Sequence, residues 1–405
     1  MKTSAVGGPV APRRSVCGVL RQSLGALVFV LSGCLGPPVL ERQVLGYDDV
    51  TKTLDEQLLL VNIARIDNGE SIHFTATSSI AATFDWTTTL GASGRVLNSP
   101  DNFLDLNVGA SASENPTFSI VPVSGEEFTR RIVTPFGENT SEFVVFQGGR
   151  IDQVLRLMAA GIEVQTPDGA FERFIENDPR RPREYEEFRR IAMHLQWLND
   201  TRQLFVRPLV FDETLIVDFT DVPRAEDINN GFAQGLRWRQ KPDGNYQLTR
   251  LSSGRVIVSN FDPMALSDRE RFALNERIRR NPAGFVYLDI QPTEQGGLSI
   301  QGAIKLRSLF QILSFLARGI RQAPEFDVAP DPRTGPVTSS PGSTLQIEIL
   351  EKKPAGQVPS VWFDGRYYTI ENTPWNRTSF VILNVLFQTT VGQVEDVGIP
   401  ITIAK

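Results

Sequence analysis

From Ile72 to Leu90 the even positions read Ile, Phe, Ala, Ser, Ile, Ala, Phe, Trp, Thr, Leu, and the odd ones His, Thr, Thr, Ser, Ala, Thr, Asp, Thr, Thr. Successive side chains of a strand point to opposite faces, so this is a strand pattern with one apolar side. It is sustained over nineteen residues, whereas globular strands usually run to about five or six. After a polar, glycine-bearing loop, Gly91–Asn102, the alternation resumes with Leu104, Leu106, Val108, Ala110 and Ala112 against Asp105, Asn107, Gly109, Ser111 and Ser113. The pattern predicts a long amphipathic antiparallel β-hairpin within residues 72–123, with Thr117–Val123 as a further short strand.

Two explanations of the hairpin compete. In one it is part of a soluble sheet whose apolar face is covered by helices, as antiparallel sheets commonly are. In the other its tip enters a membrane. The stretches Ile80–Leu90 and Phe103–Ser113 are each eleven residues long, against the roughly 9–11 that cross a bilayer as tilted strands. Glu114-Asn115-Pro116 then marks the exit. On either explanation the apolar face, lipid-facing or core, is carried by Ile80, Ala82, Phe84 and Trp86 and by Leu104, Leu106, Val108 and Ala110. One hairpin has two unpaired edges that lipid cannot satisfy, so insertion requires several copies closing a composite barrel, at least about four chains for eight strands. The opposite face, mostly Thr, Ser and Asn, suits water inside such a barrel.

The first forty residues give an address. Lys2, Arg13, Arg14 and Arg21 form a positive region without acids, followed by the apolar run Leu24–Leu31, too short to span a bilayer as a helix. The run ends in Leu31-Ser32-Gly33-Cys34, which resembles the bacterial lipobox. The resemblance implies cleavage between Gly33 and Cys34, diacylglycerol on the Cys34 thiol, and, because Leu35 rather than aspartate follows, retention in the outer membrane, facing the periplasm. Loss of residues 1–33 removes four of 41 basic residues and none of 47 acids, taking a formal charge of −6 to −10. An acidic surface repels nucleic acid, which needs clustered Lys and Arg. Cys17 leaves with the signal, so no free thiol remains for catalysis.

The remaining pattern is α+β: an N-terminal region at 47–200 that contains the hairpin, a middle region at 201–322, a proline-rich connector at 323–344 and a C-terminal segment at 345–405. Residues 34–46, with Pro37-Pro38, read as a lipidated tether. A helix follows with Val50, Leu54, Leu58 and Val61 as its core stripe, and Asn68-Gly69 ends it. Ser124 and Glu127 suggest a capping box before a helix reaching Ile132. Further helices are marked by Ile151 to Met158, stopping at Gly161, by Tyr185 to Leu198, and by Leu306 to Ile320. Pro242-Asp243-Gly244 joins the strands Leu236–Gln240 and Tyr246–Leu251. Leu204–Val210, Thr214–Phe219, Phe285–Ile290, Leu298–Gly302, Leu345–Leu350, Val361–Phe363, Arg366–Ile370 and Ile401–Ala404 read as strands, and Asn376–Thr389 as a helix. The Arg180-Arg181-Pro182-Arg183 run, balanced by Glu184, Glu186 and Glu187, reads as a solvated face.

Catalytic patterns are scarce. With two histidines, His73 and His194, and two cysteines, zinc and haem lack their usual ligands, and no metal or other cofactor is expected. There is no G-x-S-x-G elbow, phosphate loop, H-E-x-x-H or calcium loop. The blocks Glu114-Asn115-Pro116-Thr117, Pro122-Val123-Ser124-Gly125-Glu126-Glu127-Phe128, Leu306-Arg307-Ser308-Leu309 and Gly365-Arg366-Tyr367-Tyr368, the last followed by a helix ending in Leu386-Phe387, together resemble a widespread family of uncharacterised proteobacterial outer-membrane lipoproteins. The stretch Glu371-Asn372-Thr373-Pro374 departs from the more aspartate-rich pattern of that family. The resemblance implies the location, and no activity carries over from it. The expectation is a non-enzymatic structural or assembly lipoprotein of the cell envelope, oligomeric or bound to envelope partners. Its alternatives are a subunit of an oligomeric outer-membrane pore formed by the hairpin and a periplasmic hydrolase using carboxylates such as Glu126 with Glu127 or Glu186 with Glu187.

Overall fold

The computed structural model describes residues 36–95, 103–123, 125–140, 144, 149–166, 169–292, 297–356, 358–391 and 401–403. The chain falls into two units, residues 1–54 and 55–405. The described part of the first is helical, and all the sheets lie in the second.

Helix α1 spans Gly36–Asp67, so most of the expected tether is helical. Pro37 and Pro38 lie in the first turn, where a missing N–H removes no intrahelical bond. The helix ends where Asn68-Gly69 predicts, with Gly69 at φ 78°. Its core face is not the expected one, for Val50 and Leu54 are exposed and Leu59, Leu60, Ile63 and Ala64 are fully buried. The buried set is shifted round the helix because the packing partners, not the strongest local periodicity, decide which side turns inward.

Strands β1 (Phe74–Arg95) and β2 (Phe103–Val123) form the predicted hairpin. Helix α2 (Glu126–Val133) begins after Gly125, which is its N-cap and makes no side-chain cap bond. The capping box expected from Ser124 is therefore corrected: the helix starts one residue too late for it. Helix α3 (Ile151–Met158) leads directly into β3 (Ala159–Gln165), which pairs with β4 (Phe171–Glu176). Neither strand was expected. Gly161, read as a helix stop, lies inside β3, where an added Cβ would stand 2.4 Å from the Ile175 carbonyl.

Helix α4 (Pro182–Asp200) is followed by β5 (Phe205–Phe219), a single strand where two were expected, then α5 (Ala225–Ala233) and β6 (Leu236–Gln240). The Pro242-Asp243-Gly244 turn joins β6 to β7 (Tyr246–Ser259), as predicted. Helix α6 (Asp268–Ile278) has Ser267 and Glu270 as a reciprocal capping box. Strands β8 (Phe285–Ile290) and β9 (Ile300–Leu306) precede α7 (Leu309–Arg321). Leu306 ends β9 rather than opening the helix, because Ser308 and Gln311 form the capping box that sets the boundary. Strands β10 (Ile347–Leu350), β11 (Ser360–Phe363) and β12 (Arg366–Ile370), helix α8 (Pro374–Val391) and β13 (Ile401–Ile403) complete the described chain.

The fold is α+β. A seven-stranded sheet runs β4-β3-β9-β8-β7-β5 with β6 also on β7, antiparallel except between β7 and β8. Strands from 159–176 and from 205–306 thus share one sheet. At its centre Gly302 lets β9 approach β3, where a Cβ would meet the Glu163 carbonyl at 2.0 Å. Helix α7 lays Leu309, Ile312, Leu313, Phe315 and Leu316 into a core shared with α1, α3, α4 and α8, each such side chain contributing roughly 1.5–3 kcal/mol on burial. A second antiparallel sheet has the order β10-β12-β11, and a third β1-β2-β13.

The proline-rich connector has no regular structure, yet it is not a free linker. The buried guanidinium of Arg156 donates to Pro341 O (2.8 Å), Gly342 O (2.8 Å) and Thr344 Oγ1 (3.1 Å), and pairs with Glu325 at 3.4 Å. Glu325 also accepts from Tyr185 Oη and Thr344 Oγ1, each at 2.7 Å. Burial works to raise the Glu325 carboxyl, but the Arg156 charge and these hydrogen bonds outweigh it and hold it below the usual carboxylate range. Arg189, likewise buried, donates to Gly342 O and Tyr185 Oη.

Candidate functional site

The hairpin is fixed at its root and unpaired along most of its length. At the root, Asn62 of α1 holds both backbone groups of His73: its Oδ1 accepts from His73 N at 2.8 Å and its Nδ2 donates to His73 O at 3.0 Å. Arg65 adds a donor to the same carbonyl at 3.1 Å. Phe74 is fully buried between Phe128 of α2 and Phe387 of α8, with ring centroids at 6.0 and 5.2 Å. One helix supplies a strand-like pairing and two others an aromatic socket, so the first residue of β1 belongs to the core.

Beyond the root the register pairs Phe74 with Val123 and Thr77 with Ile120, then shifts between Thr77 and Ser79 so that Ile80 faces Phe118. This bulge moves β1 by one position against β2. Since directly opposed residues of an antiparallel ladder share a face, the positions of Phe74 and Ile80 lie on opposite sides of the ribbon. The single apolar face inferred from unbroken alternation is thus two faces: a short one that enters the core, and a long one above the bulge.

Above the bulge even positions pair with even ones. Trp86 faces Ala112, Leu90 faces Val108 and Ala92 faces Leu106, so Ile80, Ala82, Phe84 and Trp86 fall on the same side as Leu104, Leu106, Val108 and Ala110. The two sets stand at different levels, the first nearer the root and the second nearer the tip. The two eleven-residue stretches 80–90 and 103–113 do not stand level with one another, for 80–90 lies opposite 108–118. Glu114, Asn115 and Pro116 do not end the ladder either: β2 runs straight through them, with Glu114 opposite Phe84 and Pro116 opposite Ala82. Thr117–Val123 is accordingly the base of β2, not a separate strand. With this register the uncharged part of the long face runs from Trp86 with Ala112 to Gly94 with Leu104, nine residues on each strand.

The ladder's edges are open. Among the described residues β1 pairs only with β2, and β2 pairs on its other side only with β13, where Ile401 to Ile403 lie against Phe118 to Ile120. The rest of both edges, including all of 86–94 and 104–112, presents backbone donors and acceptors that no described strand takes up. Gly33 and Cys34, with the whole signal segment, lie outside the described residues, as do residues 96–102; of the expected Gly91–Asn102 loop, residues 91–95 belong to β1 instead.

The groups considered for catalysis are dispersed. Glu127 pairs with Arg131 at 2.6 Å, Glu186 with Arg190 at 3.5 Å and Glu187 with Arg173 at 2.7 Å, all on exposed surfaces. His194 is buried, with Nδ1 3.0 Å from Thr334 Oγ1 and its ring against Trp197. Burial pulls its imidazole below the ordinary value. Asp289, which sequence reasoning passed over, is a buried carboxyl raised by desolvation in a concave site of about 670 Å³ that also carries Asp262, Glu270 and Arg277. Its signal was a single acid in the apolar strand Phe285–Ile290. Asp262 already pairs with Arg207 and Glu270 already caps α6, leaving Asp289 without a second uncommitted acid. Among the described residues no group of three His, Cys, Asp or Glu stands ready for a metal ion, and no described helix is long and apolar enough to cross a membrane. No family model, curated protein or solved structure matches the chain.

Proposed function

We propose that the protein is a lipid-anchored, non-enzymatic component of the outer membrane whose copies join hairpin edge to hairpin edge, closing a composite β-barrel through that membrane. The observation that carries this reading is the hairpin itself, a ribbon of 22 and 21 residues with both edges open above its base. An isolated two-stranded ribbon is marginal in water, and long bare edges are templates for pairing with another chain. Ring closure supplies every edge with a partner, which is also the condition for β-structure in lipid.

The nine-residue band at 86–94 and 104–112, whose apolar face carries no charge, fits the roughly 9–11 residues of a tilted membrane strand. Glu114 borders the band on the root side, and the other face offers Thr87, Thr89, Asn107 and Ser111 to a water-filled lumen. Lipidation at Cys34 places the body at the periplasmic face, and acyl chains contribute about 0.8 kcal/mol per buried methylene. A second reading rests on the same open edges: the hairpin stays in the periplasm, where an envelope protein adds a strand to it.

Single cysteines separate the two readings. In the ring, Leu90→Cys and Leu106→Cys react with a membrane-buried reagent while Thr89→Cys and Asn107→Cys react from water. Reaction of Leu90→Cys and Leu106→Cys from water would put the hairpin in the periplasm and favour the second reading, and their protection from both reagents would mean that protein covers this face; either result would overturn the ring.

A further inference from the structure

The Arg180-Arg181 pair, read from sequence as a solvated face, stands at the rim of a cavity of about 770 Å³ between the β3–β4 edge and the start of α7. Five cations line it, Arg180, Arg181, Lys305, Arg307 and Arg318, against two acids, Glu176 and Asp178. Both acids are committed: Asp178 to Arg180 at 2.5 Å and Glu176 to Arg181 at 2.6 Å. Among the described residues no carboxylate forms an ion pair with Lys305, Arg307 or Arg318. In a chain of formal charge −6, this concavity therefore carries a local excess of three positive charges.

Its floor is built. Arg307 is only 5 % exposed and lies 3.8 Å over the Phe315 ring. It is held by carbonyls alone, those of Arg156, Leu157 and Asn177 at 3.0, 3.1 and 2.7 Å. The first two belong to the last turn of α3, whose negative end favours a cation. Beside it Asn177 is buried, with its amide donating to Arg156 O and Ala159 O and its Oδ1 unpartnered. Lys305 stands 5.9 Å from the Phe174 ring, and Phe310, 40 % exposed, supplies an apolar wall. Burial first, and the neighbouring Arg180 charge after it, lower the Arg318 guanidinium from its ordinary value, with Asp178 pulling the other way.

We infer that this cavity binds a small polyanion carrying two phosphate groups, of the kind presented by a phosphorylated saccharide or lipid headgroup. Guanidinium forks match phosphate oxygens in pairs, and a concave site with low-dielectric walls concentrates the field that draws such a ligand in. The size suits a ligand of a few tens of atoms rather than a polymer. The inference is independent of the hairpin, since it uses only α3, β3, β4, the segment 177–181, β9 and α7.

The test is calorimetric titration of the whole detergent-solubilised protein at about 0.15 M salt with three probes: pyrophosphate, glucose 1,6-bisphosphate and citrate. Both phosphate probes are expected to bind, and to weaken as salt is raised. Lys305→Ala and Arg318→Ala, whose side chains reach solvent, should each weaken them at least about tenfold, while Arg190→Ala, outside the cavity, should change nothing. Glucose 1,6-bisphosphate binding more tightly than pyrophosphate assigns a saccharide source; the reverse order assigns a bare diphosphate such as a lipid headgroup presents. Citrate binding as tightly as either would overturn the phosphate assignment. So would Kd values weaker than about 1 mM for both phosphates, or affinities unchanged by both Lys305→Ala and Arg318→Ala.

Discussion

Replacing Glu325 by alanine should be among the most damaging single changes in the body of the protein. Its side chain is 6 % exposed and that of Arg156 is 1 % exposed, so the charges are screened little by water. Removing one partner of a buried ion pair typically destabilises by about 3–5 kcal/mol, chiefly because the other charge is left uncompensated. The upper half of that range applies here, since Arg189 is buried beside Arg156 and the two guanidiniums repel once the carboxylate has gone. Glu325→Gln keeps the volume and an acceptor for Tyr185 and Thr344, so a smaller loss of about 1.5–3 kcal/mol is expected, the scale of hydrogen bonds to charged groups. The double change Arg156→Met with Glu325→Met should recover much of the loss, because it removes both desolvation penalties together. The assay is urea unfolding of the chain from residue 34 with Cys34→Ser, followed by tryptophan fluorescence; Trp375, whose ring lies 5.2 Å from Arg156, reports on the site. The pH dependence has a definite sign. The Glu325 carboxyl is held below its unfolded value, so its contribution is present above about pH 4.3 and is lost as pH falls through the lower folded value. Glu325→Gln should remove that acid-side loss. Variants Glu325→Ala and Glu325→Gln both within about 0.5 kcal/mol of the parent, the ordinary range for surface changes, would refute the view that this pair clamps the connector.

Phe74→Ala should destabilise by about 3–5 kcal/mol and speed amide exchange at residues 72–76, since it empties the socket between Phe128 and Phe387; unchanged exchange would mean that Asn62 alone holds the root. For His194, burial favours the neutral ring, so protonation favours the unfolded chain. Its contribution is full above about pH 6.5 and declines as pH falls below that, and His194→Gln should flatten the stability profile of the chain between about pH 5 and 6.5, as read by urea midpoints.

The hairpin was legible because period two is a strong local signal, and so were α4 and the turn at Asp243-Gly244. Its register was not. Pairing levels depend on where the chain turns, and Gly91–Asn102 offers several places, so a shift of a few residues left the pattern intact while moving Glu114 opposite Phe84. The bulge between Thr77 and Ser79 was equally hidden, since even positions stay apolar on both sides of it. Strand β3 was missed because it follows α3 with no breaker between them, and its glycine passed for a helix end. The cationic cavity was beyond reach, as its residues come from 160–181 and 305–318 and meet only when β3 pairs with β9.

Edge-to-edge assembly is the central claim, and the particle formed by the acylated protein extracted in mild detergent tests it most directly. Electron microscopy with mass measurement should show closed rings of at least about four copies, each with its hairpins gathered into one central barrel. Particles holding a single copy, with the hairpin unpaired at concentrations where the protein is intact and folded, would contradict it.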